Sequence, residues 1–89
     1  MNKKILIVDD EADIRKMLKR FFTGLGFKTC EAADGDSALK LVNRIRPSAV
    51  LLDIAMPGPD GIEVLRAIRK DHPAIPVIML TGSSEMEKA

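Results

Sequence analysis

Acidic residues follow apolar runs at two places in the chain, and their positions suggest a shared chemistry. The run "ILIV" leads directly into Asp9 and Asp10, and the run "AVLL" leads directly into Asp53. A further run, "VIML", ends at the hydroxyl of Thr81. Each run is typical of a strand that is buried on both faces of a parallel sheet. Because parallel strands end at one edge of a sheet, these side chains would meet there if the first and third strands are neighbours.

Three carboxylates that share one crevice repel one another, so such a site either raises a pKa or binds a cation. Oxygen ligands of this kind suit Mg²⁺, which keeps several waters and prefers one or two acids together with a phosphate. An aspartate beside such an ion can attack phosphorus and form an aspartyl phosphate. The hydroxyl of Thr81 could then donate a hydrogen bond to a phosphoryl oxygen. The spacing of these residues therefore predicts phosphoryl chemistry with a divalent cation.

Composition excludes several other classes of protein. The chain has 89 residues, which is one domain at most, and its 14 basic and 13 acidic residues leave a net charge of +1. This balance predicts no contact with nucleic acid or an anionic membrane surface. A single cysteine, Cys30, permits no internal disulfide and fits a reducing compartment. The apolar runs are too short for a signal peptide or a membrane span, so we expect a cytoplasmic protein.

Amphipathic segments alternate with the apolar runs. Apolar residues recur at helical spacing in three segments, which contain Ile14, Met17, Leu18, Phe21, Phe22 and Leu25; Ala38, Leu41, Val42 and Ile45; and Ile62, Leu65 and Ile68. The expected stops are glycines 24 and 26, Pro47 and Pro73. Residues 27–31 form a more polar strand, which is typical of a sheet edge. Ser84 and Glu87 have capping-box spacing and predict the start of a fourth helix.

Strands at 5–8, 27–31, 49–52 and 77–80 therefore alternate with helices. This βαβαβαβ pattern predicts an α/β fold, in which helices cover both faces of a parallel sheet.

Three motifs resemble those of the receiver domain of two-component response regulators. They are "ILIVDDE", "LLDIAMPGPDG" and "VIMLTG", and they occur in the family's order and spacing along the whole chain. The resemblance implies a flavodoxin-like, three-layer α/β/α fold with strand order 2-1-3-4. It also implies that residues 1–89 form one receiver domain.

The resemblance assigns roles to individual residues. Asp53 looks like the phosphoacceptor, which takes its phosphoryl group from a sensor histidine kinase or a phosphotransfer protein. Asp9 and Asp10 look like the acids that bind Mg²⁺ (or Mn²⁺) together with Asp53, and Ala55 stands where the family supplies a backbone carbonyl to the metal. Thr81 looks like the switch hydroxyl. The residues that match the supporting loop are Met56, Pro57, Gly61 and Gly82.

The chain departs from the family pattern at its carboxyl end. The family has a fifth strand that ends in a Lys-Pro pair, and then a fifth helix. This sequence stops before both, and Lys88 lies too early to match that lysine. We therefore expect a receiver domain that is incomplete at its C-terminus. Residues 77–80 should form a bare apolar edge, which favours association with a second copy of the chain.

Two other function classes remain open. The chain could be a receiver-like scaffold for interaction or oligomerisation that does not switch. It could also be a Mg-dependent phosphohydrolase that forms an aspartyl phosphate. Such enzymes begin with Asp-x-Asp, whereas Ala55 follows Asp53 at that spacing, so this class is disfavoured. Nucleotide-binding classes are excluded because neither Gly-x-Gly-x-x-Gly nor a Gly-Lys-Ser/Thr loop is present.

Other conspicuous side chains have ordinary structural interpretations. Phe21, Phe22 and Phe27 are expected in the core, because the sequence places them on apolar faces. His72 is expected to be a solvated residue at a helix end, and Asp34 a surface or capping residue.

Overall fold

A computed structural model of the chain describes residues 3–56 and 61–80. Strands and helices alternate along this part of the chain, as the sequence predicts. The elements are β1 (Lys4–Val8), α1 (Ala12–Gly24), β2 (Lys28–Ala32), α2 (Gly35–Ile45), β3 (Ala49–Asp53), α3 (Gly61–Asp71) and β4 (Val77–Leu80). The fourth helix predicted from Ser84 lies outside the described residues. No helix within the described ranges is long and apolar enough to cross a membrane.

The four strands form one parallel sheet in the order β2-β1-β3-β4. This confirms the α/β class and the strand order that the resemblance implies. The more polar strand, β2, lies at one edge of the sheet, as expected. Among the described strands, β4 lies at the other edge, and its Ile78 is 52% exposed.

Two apolar clusters hold the helices against opposite faces of the sheet. Alternate residues of β1 and β3 point to opposite faces because successive side chains of a strand alternate. The larger cluster packs beneath α2 and α3 and includes Leu6, Val8, Val50, Leu52, Ala38, Val42, Val64 and Ile68. The smaller cluster, formed by Ile5, Ile7 and Leu51, packs beneath α1. Helices therefore cover both faces, which gives the three-layer arrangement.

Local sequence signals explain several helix ends. The carboxylate of Asp34 accepts a 2.8 Å hydrogen bond from the backbone N–H of Ser37 and caps the start of α2. The helix ends at Arg46, which has a left-handed φ of 45° and precedes Pro47, where a continuing helical conformation is disfavoured. Gly26 has a φ of 95° and turns the chain after α1.

Helix α1 buries less of its apolar stripe than the sequence predicts. None of its residues is fully buried, and Met17, Phe21 and Leu25 are 58%, 61% and 61% exposed. The prediction that Phe21 belongs to the core is therefore wrong. The physical reason is that the sheet contacts only one side of the stripe, through Leu18 and Phe22. Phe21 instead packs edge-on against the ring of Phe22, and the two ring centroids lie 5.1 Å apart.

The apolar residues that predict α3 are buried to different degrees. Ile68 is buried and Leu65 packs against the larger cluster, but Ile62 is 37% exposed. Gly61 and Val64 are buried as well, and Gly61 lies against the end of β3, where a side chain would not fit.

His72, which was predicted to be a solvated residue at a helix end, also makes a contact between two helices. Its Nε2 lies 2.7 Å from Oδ1 of Asn43, so a hydrogen bond links the end of α3 to α2.

Candidate functional site: three carboxylates at the edge of the sheet

The register of the sheet brings the acidic residues together. Val8 of β1 pairs with Leu52 of β3, so the residues that follow, Asp9 and Asp53, leave the sheet side by side. One carboxylate oxygen from each of Asp9, Asp10 and Asp53 lies within 4.8 Å of the other two. These three residues are called the acid cluster below. The convergence expected for the three acids is therefore present in the fold, whereas Thr81 lies outside the described residues.

Asp9 is the buried member of the acid cluster, with 5% of its surface exposed. Its Oδ1 accepts a 2.9 Å hydrogen bond from the backbone N–H of Glu11, and its own N–H donates to the carbonyl of Ala32 at 3.1 Å. Burial raises the pKa of Asp9 above its ordinary value, and the N–H of Glu11 partly opposes that rise. The negative charges of Asp53 and Asp10 raise the pKa of Asp9 further, because the three carboxylates lie close enough to repel one another.

Asp53 is the last residue of β3 and is half-buried. Its Oδ1 accepts a 2.9 Å hydrogen bond from the backbone N–H of Ala55, two residues further along the chain. A bond of this kind fixes the rotation of an aspartate side chain at a turn. The peptide after it is anchored as well, because the N–H of Ile54 donates to the carbonyl of Leu80 at 3.2 Å. The carboxylate is therefore held in one orientation at the mouth of the crevice.

The chain after β3 is supported by a buried side chain and a close backbone contact. Met56 is only 4% exposed and packs into the larger apolar cluster. At Gly61, a Cβ atom would lie 2.6 Å from Cα of Ile54 and 2.8 Å from the carbonyl oxygen of Asp53, so no other residue fits without displacing the backbone. The family resemblance assigns both residues to the supporting loop; Met56 packs into the core, and Gly61 begins α3 against the end of β3.

The donor set fits a hard divalent cation. Three carboxylate oxygens from neighbouring strand ends match the ligands that Mg²⁺ and Mn²⁺ prefer. The role of the Ala55 carbonyl as a further ligand stays a prediction. Pro57, Thr81 and Gly82 lie outside the described residues, so the parts assigned to them stay predictions too.

The sequence reasoning missed a polar network behind the acid cluster. Nη1 of Arg15 donates a 2.7 Å hydrogen bond to the main-chain carbonyl of Asp9. Nε of Arg15 lies 3.4 Å from Oε1 of Glu31, and Nζ of Lys19 lies 3.6 Å from Oε2 of Glu31. A signal was available: Arg15 and Lys19 are four residues apart on one face of α1, and Glu31 is an acid in the polar edge strand.

Comparisons with known proteins agree with this geometry. The response regulator receiver domain family matches residues 5–89. The chain is 45% identical over 87 residues to sporulation initiation phosphotransferase F of Bacillus subtilis, covering 98% of this chain and 70% of that protein. It is 42% identical over 85 residues to the DNA-binding response regulator MtrA of Mycobacterium tuberculosis, covering 96% of this chain and 37% of that protein. The chain thus spans little more than a third of the length of MtrA.

Solved structures show the same fold. The receiver domain of NtrX from Brucella abortus superposes with a TM-score of 0.86 at 42% identity, covering 96% of this chain and 72% of that chain. The response regulator TrrA from Thermotoga maritima, solved in complex with Mg²⁺ and BeF, superposes with a TM-score of 0.87 at 40% identity, covering 97% of this chain and 75% of that chain.

Proposed function

We propose a function from the following premise: the chain belongs to the response regulator receiver domain family. The proposed function is to accept a phosphoryl group on Asp53 in a cytoplasmic two-component phosphorelay. Residues 1–89 then form its receiver domain. The observation that carries the proposal is the acid cluster, in which an oriented carboxylate at the end of β3 lies beside two further acids from the end of β1.

Asp53 is the proposed nucleophile. Because Oδ1 accepts the hydrogen bond from the N–H of Ala55, we assign the attack on phosphorus to Oδ2. A new bond joins this oxygen to phosphorus, and the bond from phosphorus to the donor breaks. The donor group leaves with the electron pair, as the imidazole of a histidine kinase or phosphotransfer protein, or as acetate when the donor is acetyl phosphate. The product is an acyl phosphate on Asp53.

Asp9 and Asp10 are the proposed holders of Mg²⁺ or Mn²⁺, with Asp53 and the carbonyl of Ala55 as further ligands. When bound, the ion neutralises negative charge that develops on the phosphoryl oxygens. We assign to Thr81 a hydrogen bond to the phosphoryl group. The TrrA structure, which was solved in complex with Mg²⁺ and BeF, supports the assignment of the metal by likeness.

Intact mass after incubation with acetyl phosphate and Mg²⁺ tests the proposal. We expect one added phosphoryl group in the wild type and none in Asp53→Asn. The variant should remain folded and should be at least as stable as the wild type without metal, since it relieves repulsion within the acid cluster. No added mass in a folded wild type would contradict the proposal and favour the scaffold that does not switch.

A phosphohydrolase would behave differently in the same experiment. It would release inorganic phosphate from simple phosphate monoesters over many turnovers. We expect no such release, because Ala55 stands where the second acid of an Asp-x-Asp pair would be. Multiple turnovers that are lost in Asp53→Asn would instead support the enzyme class.

A further inference from the structure

We propose that Arg15 is a positioning residue for the acid cluster. It acts through the main-chain carbonyl of Asp9, and Glu31 orients it. The inference rests on the proposed function, because it concerns how the same cluster is kept ready to bind a cation.

The guanidinium of Arg15 is held from two sides. Its Nη1 donates to the carbonyl of Asp9 at 2.7 Å, a short bond of the kind that a charged donor makes. Its Nε faces Oε1 of Glu31 at 3.4 Å. The side chain of Arg15 is only 18% exposed, so this arrangement is sheltered from water. A planar guanidinium with several donors can serve both partners at once.

The contact with Asp9 restrains the peptide that leads to Asp10. The carbonyl of Asp9 and the N–H and Cα of Asp10 lie in one rigid peptide plane. The main chain of Asp9 is already fixed on its amino side by the hydrogen bond to Ala32, and its side chain by the N–H of Glu11. Fixing the carbonyl as well fixes the rotation of that plane. Because Asp10 is itself exposed, Arg15 supplies a restraint that burial does not.

Charge and position make opposite predictions for the loss of Arg15. If only its positive charge mattered, removing it would make the acid cluster more negative and would tighten cation binding. If it positions the Asp9–Asp10 peptide, removing it would weaken binding. Lys19 offers a matched control, because it carries the same charge and contacts the same partner, Glu31, at 3.6 Å. Within residues 3–56 and 61–80, the only side chain that donates to the Asp9 carbonyl is that of Arg15.

The experiment compares Arg15→Met with Lys19→Met. Mn²⁺ affinity is measured by electron paramagnetic resonance on the whole chain, with circular dichroism to show that each variant is folded. We expect Arg15→Met to bind Mn²⁺ about tenfold more weakly, which is typical when a residue that supports a metal ligand is removed. Lys19→Met should stay within about twofold of the wild type on the same reasoning. Unchanged or tighter binding by Arg15→Met, or an equal loss in Lys19→Met, would overturn the proposal.

Two further measurements keep the proposal testable. If Arg15→Met does not fold, Arg15→Lys replaces it, since an ammonium keeps the charge but cannot serve both partners. We expect roughly a threefold or greater loss of Mn²⁺ affinity, and wild-type affinity would overturn the proposal. Without metal, hydrogen exchange at the N–H of Glu11 should be faster in either Arg15 variant than in Lys19→Met, because its acceptor on Asp9 is less firmly held. Equal exchange would also overturn the proposal.

These results separate the inference from the proposed function. Weaker Mn²⁺ binding by the Arg15 variants, together with a wild type that acetyl phosphate does not modify, would support the positioning role and contradict phosphoryl acceptance. A wild type that accepts a phosphoryl group while Arg15→Met binds Mn²⁺ normally would support phosphoryl acceptance and contradict the positioning role of Arg15. Failure of the wild type to bind Mn²⁺ at all would overturn both the metal site and the role of Arg15.

Discussion

Replacement of Gly61 by alanine probes how closely α3 lies against the end of β3. The added Cβ would lie 2.6 Å from Cα of Ile54 and 2.8 Å from the carbonyl oxygen of Asp53, whereas real Cβ contacts are essentially never shorter than 3.0 Å. The nearest contact must therefore lengthen from 2.6 Å to at least 3.0 Å, a displacement of 0.4 Å or more. Both atoms belong to the backbone, so no flexible side chain can absorb it.

The expected loss of stability follows from overpacking at a buried position. Such substitutions typically reduce the free energy of unfolding by about 1–3 kcal/mol. For a chain of this length, that corresponds to a fall of roughly 4–24 °C in the melting temperature. Urea unfolding at 25 °C measures the free energy, and a thermal melt measures the temperature.

The displacement should also reduce the rate of phosphorylation. The carbonyl and carboxylate of Asp53 belong to one residue, and a misplacement of about 1 Å in a functional group can lower a rate about a hundredfold. We expect phosphorylation by acetyl phosphate to be about tenfold slower at a temperature where Gly61→Ala is fully folded.

Two other glycines provide matched controls. At Gly24, the last residue of α1, a Cβ would meet nothing within 4 Å, so Gly24→Ala should stabilise the helix by about 0.5 kcal/mol. Gly26 also has open space but a φ of 95°, so Gly26→Ala should destabilise the fold by about 1–2 kcal/mol through backbone strain. Gly26→Ala should leave the phosphorylation rate of the folded protein unchanged. A Gly61→Ala variant as stable and as active as Gly24→Ala would refute the close contact.

Other predictions concern the cap, the core, the metal and the sheet edge. Asp34→Ala should lower the melting temperature, because the carboxylate of Asp34 caps α2. The N–H of Ser37 holds the pKa of Asp34 in the folded protein below its ordinary value, so its stabilisation is present above the pKa of the unfolded chain and is lost as the pH falls through the pKa of the folded protein. The difference in melting temperature between the variant and the wild type should therefore become smaller below about pH 4. Leu6→Ala in the fully buried core should reduce the free energy of unfolding by about 2–5 kcal/mol in urea, and a loss no larger than that of Ile78→Ala at the 52% exposed position would contradict the core assignment. Mg²⁺ at about a hundred times its dissociation constant should stabilise the fold by about 2.7 kcal/mol in thermal melts, and chelation of the ion should remove that stabilisation. An equal stabilisation of Asp10→Asn by Mg²⁺ would exclude the acid cluster as the binding site. Light scattering should detect self-association through the β4 edge, which a strictly monomeric chain would rule out.

Much of the fold could be predicted from sequence because its determinants are local. Apolar runs of four residues mark three of the four described strands, and the predicted run at 49–52 differs from β3 by a single residue. The acid cluster was predictable for the same reason, since residues that follow parallel strands must emerge at one edge. Periodicity alone does not determine the strand order. The family resemblance supplied that order, and the sheet confirms it.

The features that were missed depend on tertiary packing. The apolar residues of α1 indicate an amphipathic helix, but they do not reveal that Leu18 and Phe22 pack against the buried residues of the sheet while Phe21 stays exposed. The contact of Arg15 with the carbonyl of Asp9 depends on how α1 is rotated above β2. The burial of Gly61 at the start of α3 depends on its close contact with the end of β3, which no hydrophobic pattern records.

Asp53, and no other acid of the cluster, should accept the phosphoryl group. Borohydride reduction of the chain treated with acetyl phosphate and Mg²⁺ converts an acyl phosphate to an alcohol, and peptide mass spectrometry then locates the altered residue. We predict homoserine at position 53 only, and none when Mg²⁺ is chelated. Homoserine at position 9 or 10, or an unaltered chain that is shown to be folded, would contradict the account.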